Sequence, residues 1–190
     1  MRNLFVLLVV LCFSCGTDYT PKPHAHLRLD YPDPDYINTT LDLPFTFEKN
    51  KLAETITARR IPGTDDSYGV DIVYPTLKGT IYLTYKSIKS QEKLISYLRD
   101  AQNFTQKHTQ KADEIAEMPY ENLERKVYGM FYEVGGNAAS QSQFYVTDST
   151  NHFLTGSLYF YIKPNYDSIL PASNYLQRDI QRIMESVIWK

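Results

Sequence analysis

"FLTGSLYFYIKPNYDSILPASNYLQRDIQRIMESVIWK", residues 153–190, changes its hydrophobic period once, and that change decides the fold class. Up to Ile162 the period is two. Leu154, Leu158, Phe160 and Ile162 face one way, and Phe153, Tyr159 and Tyr161 face the other. Successive side chains of a strand point to opposite faces, so this run predicts a strand covered on both sides over part of its length. Beyond Ser173 the apolar residues Leu176, Ile180, Ile183, Met184, Val187 and Ile188 share one helical face, with Gln177, Arg178, Asp179, Gln181 and Arg182 mostly opposite. That spacing predicts an amphipathic helix capped by Ser173, with one apolar face to bury.

Upstream, strand-like runs occupy residues 44–48, 53–59, 70–74, 79–86, 126–134 and 143–147, all rich in Tyr, Phe, Ile, Val and Thr. Such side chains suit a pleated, half-buried surface. Turn signals separate the runs: Pro62-Gly63 with Asp65-Asp66, Lys78-Gly79, and Gly135-Gly136-Asn137. One further segment breaks the alternation. Leu94, Leu98, Ala101, Thr105, His108 and Ala112 recur at helical spacing through residues 90–115, which contain neither Gly nor Pro. This predicts a long helix starting near Ser90, with Lys93 where a full capping box would have an acidic or amide side chain. The expectation is an α+β domain: an antiparallel sheet of about six to seven strands in meander order, with two long helices packed on it. No internal repeat and no transmembrane span follows residue 15.

At the other end, residues 4–13 form an apolar run behind Arg2, interrupted only by Cys12. A helix crossing the bilayer core needs roughly 20 apolar residues, whereas a secretory signal needs a positive start, roughly 7 to 15 apolar residues and a small residue before the cut. Arg2, the apolar run and Ser14 meet the second description. With Cys15 next, the pattern resembles a bacterial lipoprotein signal, in which the cysteine after the cut carries a palmitate-bearing lipid. The common pattern has Leu three residues before that cysteine; here Leu11 stands four before Cys15. Cys12 as acceptor would put bulky Leu11 at the cut, which favours Cys15. An ordinary secreted protein and an uncleaved anchor are the alternatives.

These are the chain's two cysteines. With residues 1–14 removed as a signal peptide and Cys15 a thioether, no disulfide, redox pair or thiolate remains. The formal net charge of −2 becomes slightly more negative when Arg2 leaves. That balance excludes the electrostatic footprint of a nucleic-acid binder. Residues 15–43, marked by Pro21, Pro23, Pro32 and Pro34, read as an extended tether, and residues 44–190 as the single folded domain. Leu27, Leu29 and Tyr31 alternate with Arg28 and Asp30, a pattern that would add a strand if the tether docks.

Residue types that could carry chemistry are few. His24 and His26 share one side of an extended chain, but a metal site needs three or four ligands in fixed geometry. His108 falls on the apolar face of the first helix, a position that suits a core histidine better than a base. Asp148, Ser149, Asn151 and His152 include the types of a hydrolytic triad, yet they crowd one short connection, and turn chemistry explains them better. The "VGGNAAS" of residues 134–140 lacks the Lys and Ser/Thr of a phosphate loop. No catalytic residue, metal or cofactor is expected. The 16 tyrosines suit sheet packing, a protein-contact surface or a platform for sugars.

"CGTDYTPKP" from Cys15, "LRLDYP" from Leu27, "GTIYLTY" from Gly79, "GGNAASQSQFYVTDSTNHFLTGSLYFY" from Gly135 and the terminal "PNYDSILPASNYLQRDIQRIMESVIWK" together resemble the GldD family of gliding-motility lipoproteins of Bacteroidota. The resemblance spans almost all of the mature chain. It implies a place in the envelope machinery that couples gliding to type IX secretion, and it carries the lipid to Cys15. It implies no enzymatic mechanism. The expected function is that of a lipid-anchored accessory or assembly factor acting through other envelope motility and secretion proteins, with a partner surface at Asn137, Ser140, Asn165 and Asp167. Rigid domains often place recognition on such loops. A glycan-binding lipoprotein using tyrosines on the sheet face is the alternative. Gly16 after Cys15, where an aspartate would favour inner-membrane retention, points to an outer-membrane anchor with the domain facing the periplasm.

Overall fold

In the computed structural model, which describes residues 29–62, 66–107, 112–161 and 166–190, the strand of the quoted stretch runs His152–Phe160 and lies at the centre of a seven-stranded sheet. In chain order the strands are β1 Tyr36–Asn38, β2 Phe45–Thr46, β3 Glu48–Asn50, β4 Thr55–Arg60, β5 Ser67–Tyr74, β6 Gly79–Ser87, β7 Ala112–Asn122, β8 Val127–Gly136, β9 Ser142–Thr147, β10 His152–Phe160 and β11 Ile188–Trp189. The helices are α1 Gln91–Gln106 and α2 Tyr166–Glu185. The sheet order is β4-β5-β6-β10-β9-β8-β7, antiparallel throughout. The meander therefore holds only within each half, β4 to β6 and β7 to β10. The halves join where β10 pairs with β6, Leu154 opposite Tyr85 and Leu158 opposite Ile81.

Period-two alternation on β10 builds two cores. Leu154 and Leu158 point into the main core, with Ile81 and Leu83 of β6, Val70 and Ile72 of β5, and Val146 of β9. Helix α2 closes that side with Leu176, Ile180 and Ile183, all wholly buried. Each such side chain contributes roughly 1.5–3 kcal/mol by leaving water. Phe153 points the other way, into a smaller core with Ile88 and Leu94 under α1. The domain is thus α+β, with a helix on each sheet face.

Three local expectations are corrected. The first helix stops at Gln106, and residues 112–122 form an edge strand instead of helix and loop. Ala, Glu and Met favour helix, but propensity is a weak prior against an extended ladder to β8, from Val127 opposite Asn122 to Gly136 opposite Ala112. Pro119 sits in this strand without penalty because an edge strand has one side free of ladder bonds. The second helix starts at Tyr166, not at Ser173, which is buried within it. Pro171 costs that helix one backbone bond near its start. Ile188 leaves the helical face: α2 ends at Glu185, Ile188 is exposed, and Trp189 pairs with Phe45 of β2.

From Leu29 onward the segment read as tether lies on the domain. Its strand is Tyr36–Asn38, paired with β3, and not the residues around Leu29. Pro32 and Pro34 remove the donors a strand there would need. Tyr31 packs its ring 5.1 Å from that of Tyr175 on α2. The C-terminus closes beside it, with the Lys190 N–H donating to the Pro44 carbonyl at 2.9 Å and Trp189 Nε1 to Lys126 at 3.1 Å. No helix among the described residues is long and apolar enough to cross a membrane.

Candidate functional site

Helix α1 covers its sheet face without filling it. Ser90 starts the helix, its Oγ accepting the Lys93 N–H at 3.3 Å, and Leu94 seats the first turns against Ile88 and Phe153. Further along, a cleft of about 340 Å³ lies between the helix and the sheet. Antiparallel register explains the gap. Thr155 of β10 lies opposite Thr84 of β6, and Ser157 opposite Tyr82 on one side and Gln143 on the other. Small side chains thus occupy the middle of the floor. Tyr82, Tyr132, Tyr145 and Tyr159 ring them, while Tyr97 and Phe104 of α1 form the wall.

Burial pushes the tyrosine hydroxyls of the cleft up: Tyr132 to about 12, and Tyr82, Tyr145 and Tyr159 in the same direction. All four remain protonated donors at neutral pH. Lys86 places Nζ 4.6 Å over the Tyr97 ring, and Asp100 also lines the cleft, so the charges nearly balance. At the floor Gln143 is 3% exposed. Thr105 Oγ1 lies 3.0 Å from its Oε1 and 3.3 Å from the Ala101 carbonyl, and Gln143 Nε2 has no hydrogen-bond partner among the described residues. The tyrosines were legible in the sequence as a class; Gln143 was not singled out. Gln143 follows Ser140, Gln141 and Ser142, so no local pattern marked it out.

The loop at residues 136–140 is built from within. Gly136 has φ of +88°, and a Cβ there would press against the backbone of Asp113, so glycine is required. Ser140 is wholly buried, its Oγ donating to the Ser142 carbonyl at 3.2 Å, and Gln141 Nε2 donates to Ala138 at 2.7 Å. Asn137 is exposed. Of the four residues expected at a partner surface, Asn137 is presented to solvent and Ser140 supports the loop. Asn165 and the side chain of Asp167 lie outside the described residues, as do Cys15, His24, His26 and His108.

The Asp148 connection is a turn held by its carboxylate. Asp148 Oδ1 accepts the N–H groups of Thr150, Asn151 and His152 at 3.0, 2.8 and 2.8 Å. Burial works to raise its pKa, but these N–H groups outweigh it and hold the carboxyl below its usual range. His152 Nδ1 is 2.8 Å from the Tyr85 hydroxyl, and the imidazole stacks on Trp189 at 5.1 Å. Burial lowers its pKa, against the pull of Asp148. Both residues are engaged in holding the turn and the C-terminal strand.

One buried acid escaped the sequence pattern. Asp179, on the expected polar face of α2, is wholly buried. Its carboxylate accepts from the Tyr36 hydroxyl at 2.8 Å and from Asn50 Nδ2, while Tyr175 accepts from the same amide at 3.0 Å. The Tyr74 hydroxyl also faces this carboxylate. Burial raises the Asp179 pKa, and the donors only partly offset it.

Among the described residues no group of three or more His, Cys, Asp or Glu side chains is placed to hold a metal. No curated protein and no solved structure matches the chain. The family model described as gliding motility lipoprotein GldD matches residues 16–189, nearly the whole sequence and every element of the sheet. The chain therefore belongs to the GldD family of gliding-motility lipoproteins.

Proposed function

We propose that this protein is a lipid-anchored accessory or assembly factor that supports gliding motility and type IX protein secretion through contacts with other envelope proteins, without catalysing a reaction. The observation that carries this reading is membership of a gliding-motility lipoprotein family along nearly the full chain. The bonding of His152 and Asp148 into the fold supports a non-enzymatic role, because a hydrolytic base must be free to meet its nucleophile. The anchor is the lipid on Cys15, the membrane is the outer one, and the domain faces the periplasm. Asn137, Asn165 and Asp167 are the residues that meet partners, and Ser140 supports the loop that carries Asn137.

A photo-crosslinking residue at Asn137, activated in native membranes, is expected to capture motility or secretion proteins of the envelope. The contact surface would be abandoned if Asn137→Ala and Asn165→Ala chains, folded and abundant, supported gliding and adhesin secretion fully. Digestion of the domain by protease added to intact cells would overturn the periplasmic orientation.

A further inference from the structure

We infer that the cleft between α1 and the sheet is a binding site for a neutral saccharide carrying an acetamido group, with that group seated against Gln143. The argument starts from the amide at the floor. Thr105 has one hydroxyl proton and two acceptors in reach, the Ala101 carbonyl and Gln143. If the proton goes to Gln143, the Nε2 end of the amide stays unpaired. If it goes to Ala101, the amide turns to donate to Thr105 and its oxygen stays unpaired. In both arrangements one polar end of a buried side chain that lines the cleft is left without a partner. An acetamido group carries a carbonyl and an N–H, so it completes either arrangement, and its methyl fits the aromatic wall.

The rest of the lining selects the ligand class. Thr84, Thr155 and Ser157 present hydroxyls between tyrosine rings, and a sugar matches these with hydroxyls that both donate and accept and with apolar C–H faces. An acyl chain would leave the buried Gln143 amide without the partner that an acetamido group can supply. An anion would meet Asp100 as well as Lys86. A peptide recognised through its backbone needs a free strand edge, whereas β6, β10 and β9 are interior strands with both sides in the ladder. The volume lies at the small end of ligand pockets, roughly 300–1,000 Å³.

The test uses the full chain in lipid nanodiscs and two disaccharide probes, N,N′-diacetylchitobiose and cellobiose, which differ by acetamido against hydroxyl. Saturation-transfer NMR and titration are expected to show saturable binding of diacetylchitobiose, strongest transfer at the acetamido methyl, and cellobiose at least roughly tenfold weaker. Gln143→Leu should weaken binding by roughly tenfold. Ser157→Phe should fill the floor and abolish binding. Phe104→Ala, at the exposed mouth, should weaken binding while the unfolding midpoint stays unchanged, which separates loss of the site from loss of the fold. Absence of saturable binding, equal binding of cellobiose, or binding that survives Ser157→Phe overturns the inference. Capture of a trialanine peptide in place of the disaccharide, lost in Ser157→Phe, also overturns it. The readout is sugar binding by the isolated chain, so its failure leaves the envelope-contact reading standing.

Discussion

Asn50 Nδ2 lies 3.1 Å from each carboxylate oxygen of Asp179, joining β3 to α2 in one buried contact. Tyr36, opposite Asn50 in the register of β1 with β3, donates to the same carboxylate. Arg182 of α2 adds an ion pair to Glu48 at 2.6 Å on the surface of the same hairpin. The junction where the N-terminal segment enters the domain is thereby held against the helix under the sheet.

Loss of that junction has a measurable cost. Asp179→Ala takes the acceptor from the half-buried Tyr36 hydroxyl and leaves the Asn50 amide with Tyr175 alone, and is expected to destabilise the domain by about 2 kcal/mol in urea unfolding. Asn50→Ala should cost about 2 kcal/mol. The double variant should fall short of the sum, because the two side chains act in one network. Full additivity would show that the contact contributes nothing.

Stability should depend on pH through His152. Burial holds its folded pKa below the ordinary 6.5, so between the two values the unfolded chain binds more protons than the folded one. The contribution is complete above 6.5 and is lost as pH falls through the folded value, with a slope of at most about 1.4 kcal/mol per pH unit. Asp179 has the opposite sign: its raised folded pKa favours the protonated form, and that contribution is lost as pH rises through it. His152→Phe, which keeps a ring against Trp189, should flatten the unfolding midpoint between pH 7.5 and 5. An unchanged slope in the variant would assign the dependence elsewhere.

Gly129 of β8 is required by the close approach of β9. A Cβ there would overlap the Tyr145 carbonyl, a backbone group that cannot swing aside. Gly129→Ala is expected to cost about 3 kcal/mol or more and to lower cellular abundance sharply. Gly69, where a Cβ would meet only the Arg59 side chain at 3.5 Å, is the control, and Gly69→Ala should be well tolerated.

Membrane attachment should follow Cys15. Cys15→Ser is expected to move the chain from the membrane pellet to the soluble fraction, while Cys12→Ser leaves it in the pellet. Retention of the Cys15→Ser chain in the pellet would point to Cys12 or to an uncleaved anchor.

The strand and helix runs were legible because a hydrophobic period is local: Phe153 and Leu154 already point to opposite cores in the linear pattern. Ser90 was legible for the same reason, as a cap bonds its own helix three residues on. Residues 112–122 were not, since Ala, Glu and Met favour helix and only the ladder to β8 makes them extended. Asp179 was not, since its partners Tyr36 and Asn50 lie more than half the chain away. The cleft was not, since Thr84, Thr155, Ser157 and Gln143 become neighbours only through register.

Hydrophobic period therefore settles the fold class and the two-sided burial of β10, and the longer motifs carry the resemblance to the family whose model matches residues 16–189, because each is written in contiguous stretches of residues. The union of two meanders at β6 and β10, the docking of residues 36–50 on α2 and the aromatic cleft under α1 belong to the assembled domain. Strand pairing and the depth of a polar group depend on which distant surfaces meet, and no local preference encodes that meeting.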